Sequence, residues 1–160
     1  MKRIITIIGL VALAKFACGQ TISPELVSLG NFVQRMFEAS PFEGVKVIED
    51  YNNTYMISLA MLERSKYSSE LVMNKVAAAK ARSNVNKFLN GTQLSTDFYV
   101  QTEKIKSDST VTKEMITYDI IREKSYGIVE SMKVLTTFNA DDDKYYIYII
   151  FKEIENIKKK

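Results

Sequence analysis

The sequence predicts an α+β fold, in which an antiparallel sheet of about five to six strands carries a long Ala-rich helix and an N-terminal helix on one face. Apolar residues alternate with a period of two in several runs after Gly44, as expected for half-buried strands. Between these runs, residues 69–90 have apolar side chains at helical spacing. The resulting order from Gly44 onward is two strands, one helix and four strands, which favours helices covering one face of an antiparallel sheet.

Residues 1–19 predict an export signal. Basic residues precede an apolar run at 4–14, and small side chains follow it at Ala17 and Gly19. The run is about half of the ~20 residues that cross a bilayer, so no transmembrane anchor is expected in the mature chain. Cleavage is expected after Gly19 or a few residues away. Residues 20–160 would then form a single α+β domain in the periplasm or outside the cell.

Cys18 allows an alternative, in which it is the lipid-modified first residue of an outer-membrane lipoprotein. The triplet before it is Lys15-Phe16-Ala17, whereas a Leu-Ala-Gly-like triplet is typical of lipid attachment. Ala17 fits that pattern and the other two residues do not, so soluble export is the favoured interpretation. Because Cys18 is the only cysteine, its removal would leave the mature chain without a disulfide.

The composition argues against catalysis. The chain has no His, no Trp and one Cys, so most catalytic and metal-binding arrangements cannot be built from it. Its six glycines are never clustered, which excludes the usual phosphate-binding loops, and no cofactor is expected. The net charge is +3, but residues 1–19 hold three bases and no acid, so the mature chain is formally neutral. A nucleic-acid partner is therefore not expected.

Two elements precede the long helix. Ser23-Pro24-Glu25 is typical of a helix start, and apolar residues then recur every three or four positions until Ser40-Pro41 ends the helix. From Gly44 the period is two, and Asn52-Asn53 supplies a turn between two strands. This pattern predicts a hairpin.

The long helix is expected over about residues 69–90. Its apolar stripe consists of Leu71, Ala78, Ala81, Val85 and Phe88. Gly91 follows the last turn, where a left-handed cap conformation is common. Gly127 opens a later strand, where a bulge or tight entry would favour glycine. Both glycines are interpreted as structural.

The rest of the chain predicts four strands, at 94–105, 111–122, 128–138 and 144–154. The second of these would also suit a helical turn. The last is apolar on both faces, so it is expected in the centre of the sheet or covered on both sides. Three aspartates at 141–143 predict a solvated turn before it, because the ligand spacing of a calcium loop is absent.

Several short motifs resemble a known family. They lie at residues 88–92, 94–96, 125–129 and 132–135, the last just before the tyrosine-rich final strand. In these segments the chain resembles the small exported bacterial family of the twenty-kilodalton surface lipoprotein and the flagellar-T N-terminal domain, over about residues 55–154. The resemblance implies a helix-on-sheet envelope protein without catalysis.

Tyrosines mark a candidate binding face. All nine tyrosines lie after position 50, and Tyr146 and Tyr148 share one side of the last strand with Lys144 and Lys152. Charges suit a solvated face, so Tyr146 and Tyr148 are expected to be exposed and to bind a partner or an amphipathic ligand. The alternative is that these tyrosines only pack across the sheet.

The expected function is that of a non-enzymatic exported cell-envelope protein acting as a protein-interaction or assembly module. Its partner would be another envelope protein, and self-association into a homo-oligomer is left open. The alternative is a carrier of a small apolar ligand held between helix and sheet, which would need a cavity there.

Overall fold

The computed structural model of the chain describes residues 23–50, 53–91, 99–101 and 127–154, with the backbone alone at 99–101. The predicted export signal, Cys18 and the strand predicted at 111–122 lie outside these residues. The chain divides into two compact units between Met36 and Phe37. Within the described part, no helix is both long and apolar enough to cross a bilayer.

Helix α1 spans Pro24–Ala39, where the sequence predicts it. Ser23 caps its start, because its Oγ accepts a hydrogen bond from the backbone N–H of Leu26 at 3.3 Å. Leu29 and Val33 lie about one turn apart on the same side of α1, and both are buried.

A five-stranded sheet has the order β3–β1–β2–β5–β4. The strands are β1 Gly44–Asp50, β2 Asn53–Glu63, β3 Tyr99–Gln101, β4 Lys133–Ala140 and β5 Tyr145–Ile154. Neighbours among β1, β2, β5 and β4 pair antiparallel, whereas β3 runs parallel to β1. The described residues therefore contain four antiparallel strands, not the five to six that the sequence predicts. Alternating residues indicate a strand, but they do not fix the direction of its neighbour.

Helix α2 spans Glu70–Leu89, close to the predicted 69–90. Ser69 caps its start by accepting a hydrogen bond from the N–H of Val72 at 3.3 Å. Gly91 follows its end with φ of 70°, the left-handed conformation expected there. The buried face consists of Met73, Ala77, Ala81, Asn84, Val85, Phe88 and Leu89. Leu71, predicted in the apolar stripe, is 65% exposed because it lies to the side of this face.

Two side chains of α2 donate hydrogen bonds to β2. Asn84 Nδ2 donates to the carbonyl of Leu59 at 3.1 Å. Lys80 Nζ, one turn earlier, donates to the carbonyl of Met61 at 3.0 Å. Ala81 lies between them and is fully buried, so its small side chain lets the helix approach the strand closely.

A single helical turn, α3, spans Ile128–Ser131, where the sequence predicts the beginning of a strand. Ser131 Oγ donates to the carbonyl of Ile128 at 2.9 Å, a local bond that competes with strand pairing. Gly127 therefore opens this turn rather than a strand, with φ of 79°. A Cβ on Gly127 would meet no atom within 4 Å, so the backbone conformation alone favours glycine.

Strand β5 lies between β2 and β4 and carries buried residues on both of its faces. Helix α2 covers the face that carries Tyr146 and Ile150, together with Ala60 of β2. On the opposite face, Ile147 and Ile149 are fully buried. The sequence predicts a last strand that is central or covered on both sides, and the buried residues on both faces of β5 confirm this.

Phe37 begins the second compact unit. It packs edge-on against Phe138, with 5.7 Å between the ring centroids. Phe138 is paired with Ile147 across the β4–β5 ladder, so it points to the face opposite α2. The sequence predicts both helices on one face, whereas this contact places Phe37 on the other. Helical periodicity shows which side of a helix is apolar, but not which face of a sheet receives it.

Candidate binding cavity

Tyr146, one of the two candidate binding residues, is buried with 6% exposure. Its hydroxyl donates a hydrogen bond to Oδ1 of Asn74 on α2. Leu62, Met73 and Ala77 form a hydrophobic cluster with it beneath the helix. The expectation that Tyr146 is exposed to solvent is therefore wrong.

Tyr148 is half-buried on the same face, and its ring centroid is 6.4 Å from that of Tyr146. Burial raises the pKa of the Tyr148 phenol, and the positive charge of Arg82 partly opposes this effect. The exposure of Tyr146 was expected because Lys144 has the same parity in the sequence. Lys144 lies in the turn before β5, however, so it does not indicate which face of the strand meets solvent. Binding by Tyr148 stays a prediction.

A surface cavity of about 640 Å³ lies at the end of the sheet where β4 turns into β5. We call it the Phe138 cavity. It is lined by Phe37, Glu38, Pro41, Met61, Phe138, Asn139, Ala140, Asp141 and Tyr145. All of these residues belong to the second compact unit. Met61, Phe138, Ala140 and Tyr145 lie on the face opposite α2, whereas Asn139 is paired with Tyr146 and lies on the α2 face.

Two phenylalanines, Phe37 and Phe138, line the Phe138 cavity, and a third, Phe42, packs against Phe37. Phe37 contacts Phe138 and also lies 6.3 Å from Phe42, measured between ring centroids. The ammonium group of Lys46 lies 5.0 Å from the centroid of the Phe42 ring. Tilted and edge-on contacts of this kind fix ring orientation, so this wall is built before any ligand arrives.

The backbone of Met61 is fixed by two charged side chains, because it lies beyond the start of β1. Its N–H donates to Glu43 Oε1 at 3.3 Å, and its carbonyl accepts from Lys80 Nζ. The two side chains are themselves 2.6 Å apart. They replace the β1 neighbour that Met61 lacks, and so hold this part of the cavity wall in place.

Polar groups surround the opening. Asn139 Oδ1 accepts a hydrogen bond from Arg64 Nη1 at 2.7 Å. Lys144 Nζ lies 3.6 Å from Asp141 Oδ2 and 5.1 Å from the ring centroid of Tyr145. The pKa of Lys144 lies above its ordinary value, first because of its interaction with Tyr145 and then because of the Asp141 carboxylate.

The turn between β4 and β5 has an unusual backbone. Asp141, Asp142 and Asp143 have φ of 54°, 49° and 64°, so three successive residues are left-handed. The N–H of Lys144 donates to the carbonyl of Asp141 at 3.0 Å and closes the turn. Asp tolerates this region better than most residues, because its short side chain bonds locally to the backbone. The turn predicted at 141–143 is confirmed.

The lining of the Phe138 cavity combines apolar residues with a few polar and charged groups. Its floor is aromatic and aliphatic, and its charged lining groups are the carboxylates of Glu38 and Asp141. In the described ranges, no group of three or more His, Cys, Asp or Glu side chains is placed to hold a metal ion. An apolar surface with polar groups at its edge is the usual form of a ligand or side-chain pocket.

Comparisons with protein-family models, with curated proteins and with solved structures found no match to this chain. The resemblance of residues 55–154 to the surface-lipoprotein and flagellar-T family therefore stays a prediction.

Proposed function

We propose that this protein is a non-enzymatic, exported cell-envelope protein that acts as an interaction or assembly module, with the Phe138 cavity as its binding site. The cavity is the observation that carries the proposal. Its volume falls in the range of roughly 300–1,000 Å³ that is typical of binding pockets. An apolar side chain of a partner protein would lose water on entering it and would contact the rings of Phe37, Phe138 and Tyr145.

The non-enzymatic part of the proposal is supported by side-chain chemistry. The chain contains no histidine, the usual general base near neutral pH. Asn139 is held by Arg64, and Asp141 lies beside Lys144. These contacts support a role in shaping the opening of the cavity.

Crosslinking in the native host tests the binding site. A photoreactive residue replaces Glu38, which is exposed and lines the cavity, and a matched control replaces Leu71 on α2. We expect one reproducible envelope protein to be captured from position 38 and not from position 71. Capture of the same proteins from both positions, or capture from position 71 alone, would contradict the proposal.

Export is tested separately by the intact mass of the protein recovered outside the cytoplasm. The predicted signal implies a chain that begins at or near Gln20 and carries no lipid. A mass that retains residues 1–19, or one that includes acyl chains on Cys18, would reject this part of the proposal.

A carrier of a small apolar ligand is the second candidate, because the same volume suits a small molecule. We place that ligand in the Phe138 cavity and not between α2 and the sheet, where Ala77 and Ala81 are fully buried. Native mass spectrometry of the protein from its host distinguishes the two candidates. A bound apolar species that disappears in Phe138→Ser would favour the carrier.

A further inference from the structure

We infer that Asn90 is a site of spontaneous covalent modification, in which the backbone nitrogen of Gly91 converts the Asn90 side-chain amide into a carboxylate. Asn90 directly follows the last residue of α2, and it is exposed. Because Gly91 has no side chain, its nitrogen is open to the amide carbon of Asn90. No other asparagine in the sequence precedes a glycine, so the chemistry is specific to this position.

The reaction needs only water. The Gly91 nitrogen attacks Cγ of Asn90, so an N–Cγ bond forms and the bond from Cγ to the side-chain nitrogen breaks. Ammonia leaves with the hydrogen of the Gly91 amide, and a cyclic imide remains. Water then opens the imide. Cleavage of the new N–Cγ bond leaves aspartate at position 90, whereas cleavage at the backbone carbonyl carbon leaves isoaspartate, whose main chain passes through Cγ.

The conformation at the end of α2 opposes the first step. Asn90 has a ψ of 3°, so the Gly91 nitrogen eclipses the backbone nitrogen of Asn90 and not its Cβ. Ring closure requires a rotation of roughly 120° about the Cα–C bond, because that angle separates the substituents of a tetrahedral carbon. The N–H of Gly91 also donates to the carbonyl of Phe88 at 3.0 Å, and the rotation breaks this bond. The folded helix end therefore protects Asn90.

This protection depends on the last turn of α2 alone. The N–H of Asn90 donates to the carbonyl of Asn86 at 3.0 Å, and this bond closes the turn together with the one from Gly91. Phe88 and Leu89 are buried, so they can keep their places while Asn90 and Gly91 move. Helix ends open at a much smaller free energy than the whole fold. The reaction should therefore proceed through fraying of this turn, without unfolding of the sheet.

Both products would weaken the end of α2. An aspartate at position 90 places a negative charge at the C-terminal end of the helix, where the backbone carbonyls already carry partial negative charge. Isoaspartate lengthens the main chain before Gly91, which displaces the Gly91 N–H from the Phe88 carbonyl. Phe88 and Leu89 belong to the main hydrophobic cluster, so the modification would loosen α2 where it joins the core.

The test compares the purified full chain with a synthetic peptide of residues 86–95 at mildly alkaline pH. Mass spectrometry of a tryptic digest detects the conversion of Asn90, and chromatography separates the aspartate and isoaspartate products. We expect both products in the folded chain, formed about ten- to a hundredfold more slowly than in the peptide. In urea, the chain should react at the rate of the peptide. Asn86 of the full chain, exposed and followed by Lys87, is the internal control and should stay intact.

Two glycine substitutions distinguish fraying of the helix end from global unfolding. Asn86→Gly weakens the last turn of α2 and should speed the modification of Asn90 by about twofold or more. Lys75→Gly is the matched control at an exposed position in the first half of α2, and it should leave the rate unchanged. Lysine is the better helix former of the two replaced residues, so a reaction that required global unfolding would be faster in Lys75→Gly.

Three results would overturn the inference. Equal rates in the folded chain and the peptide would show that the helix end gives no protection. A larger increase in Lys75→Gly than in Asn86→Gly would show that Asn90 reacts only after global unfolding. A folded chain in which Asn90 never reacts, while the peptide does, would show that the site is not modified in the native protein. The proposed function of the Phe138 cavity does not depend on any of these results.

Discussion

Glu43 and Lys80 form an ion pair of 2.6 Å, and the two side chains also bind the backbone N–H and carbonyl of one residue, Met61. Glu43 accepts from its N–H, and Lys80 donates to its carbonyl. The pair thus completes the edge of β2 beyond the start of β1, and it links α2 to the wall of the Phe138 cavity. Both side chains are about one-third exposed, at 33% and 39%, so the charge–charge part is screened.

Two substitutions of Glu43 distinguish the stability that its hydrogen bond provides from the stability that its charge provides. Glu43→Ala removes the acceptor of the Met61 N–H, which water can partly replace because the bond is exposed, and should lower the free energy of unfolding by about 1 kcal/mol. Glu43→Gln keeps an acceptor oxygen and should lose less than about 1 kcal/mol. Urea denaturation measures both variants. Equal losses would show that the ion pair, and not the hydrogen bond, provides the stability.

Tyr146 should behave as a core residue. Tyr146→Ser leaves a cavity beneath α2 and should destabilise the fold by about 3–5 kcal/mol. Tyr146→Phe retains the ring and loses only the bond to Asn74, at a cost of about 1 kcal/mol. In an Asn74→Ala background the Phe substitution should cost less, because the partner is already absent. An unchanged melting temperature in Tyr146→Ser would contradict the buried position.

Gly91 should be difficult to replace by a β-branched residue. Gly91→Val must adopt a positive φ after α2 and should destabilise by about 1–2 kcal/mol or more. Gly91→Asn is the matched control, because Asn occupies the left-handed region more readily, and its loss should be smaller. If the two variants unfolded at the same denaturant concentration, the helix end would not require the left-handed conformation.

At Asp142, in the left-handed turn, replacement by Asn should again cost less stability than replacement by Val. Asp142→Asn should change the free energy of unfolding by less than about 0.5 kcal/mol. Asp142→Val should lose about 1–2 kcal/mol, because its branched side chain is poorly tolerated at positive φ. Thermal unfolding distinguishes the two variants. A stable Val variant would mean that the turn adopts another conformation in solution.

Tyr148 should make stability fall in strongly alkaline solution. Burial raises the pKa of its phenol in the folded state, so the unfolded chain releases this proton first. Below the ordinary tyrosine pKa of about 10, the phenol keeps its proton in both states and stability does not depend on its titration. Above that pH, the free energy of unfolding falls until the pH passes the raised pKa of the folded state. Tyr148→Phe should reduce this alkaline loss, measured by denaturation at several pH values. An identical pH profile would contradict the assignment.

Local patterns predicted the elements well. The caps at Ser23 and Ser69, the end of α2 at Gly91 and the turn at 141–143 are all set by residues close in sequence. The turn at Ile128–Ser131 was missed because its apolar residues suit a strand equally well.

The candidate site was harder to predict. Phe37, Met61 and Phe138 come from three distant segments, and only the folded sheet brings them together. Two features of the sequence, the helix end at Ser40-Pro41 and the acidic turn at 141–143, lie next to the cavity. Neither of them predicts that a cavity forms there. The prediction of which face of β5 is exposed was also wrong. Both faces carry buried residues, so the alternation of residue types does not show which face meets solvent.

The two bonds from α2 to β2 also have a geometric consequence for the helix as a rigid body. Lys80 and Asn84 are four helical residues apart, about 6 Å along the axis, and their acceptors Met61 and Leu59 are two strand residues apart, about 6.7 Å. Because the spacing of the two donors along the helix nearly equals the spacing of the two acceptors along the strand, both hydrogen bonds can form at the same time. If α2 slid along the sheet by one turn, Lys80 would take the place of Asn84 at the Leu59 carbonyl, a site where Asn84 is only 6% exposed. The Lys80 ammonium would also move away from Glu43. The two bonds and the ion pair therefore favour the observed axial position of α2 over one shifted by a turn.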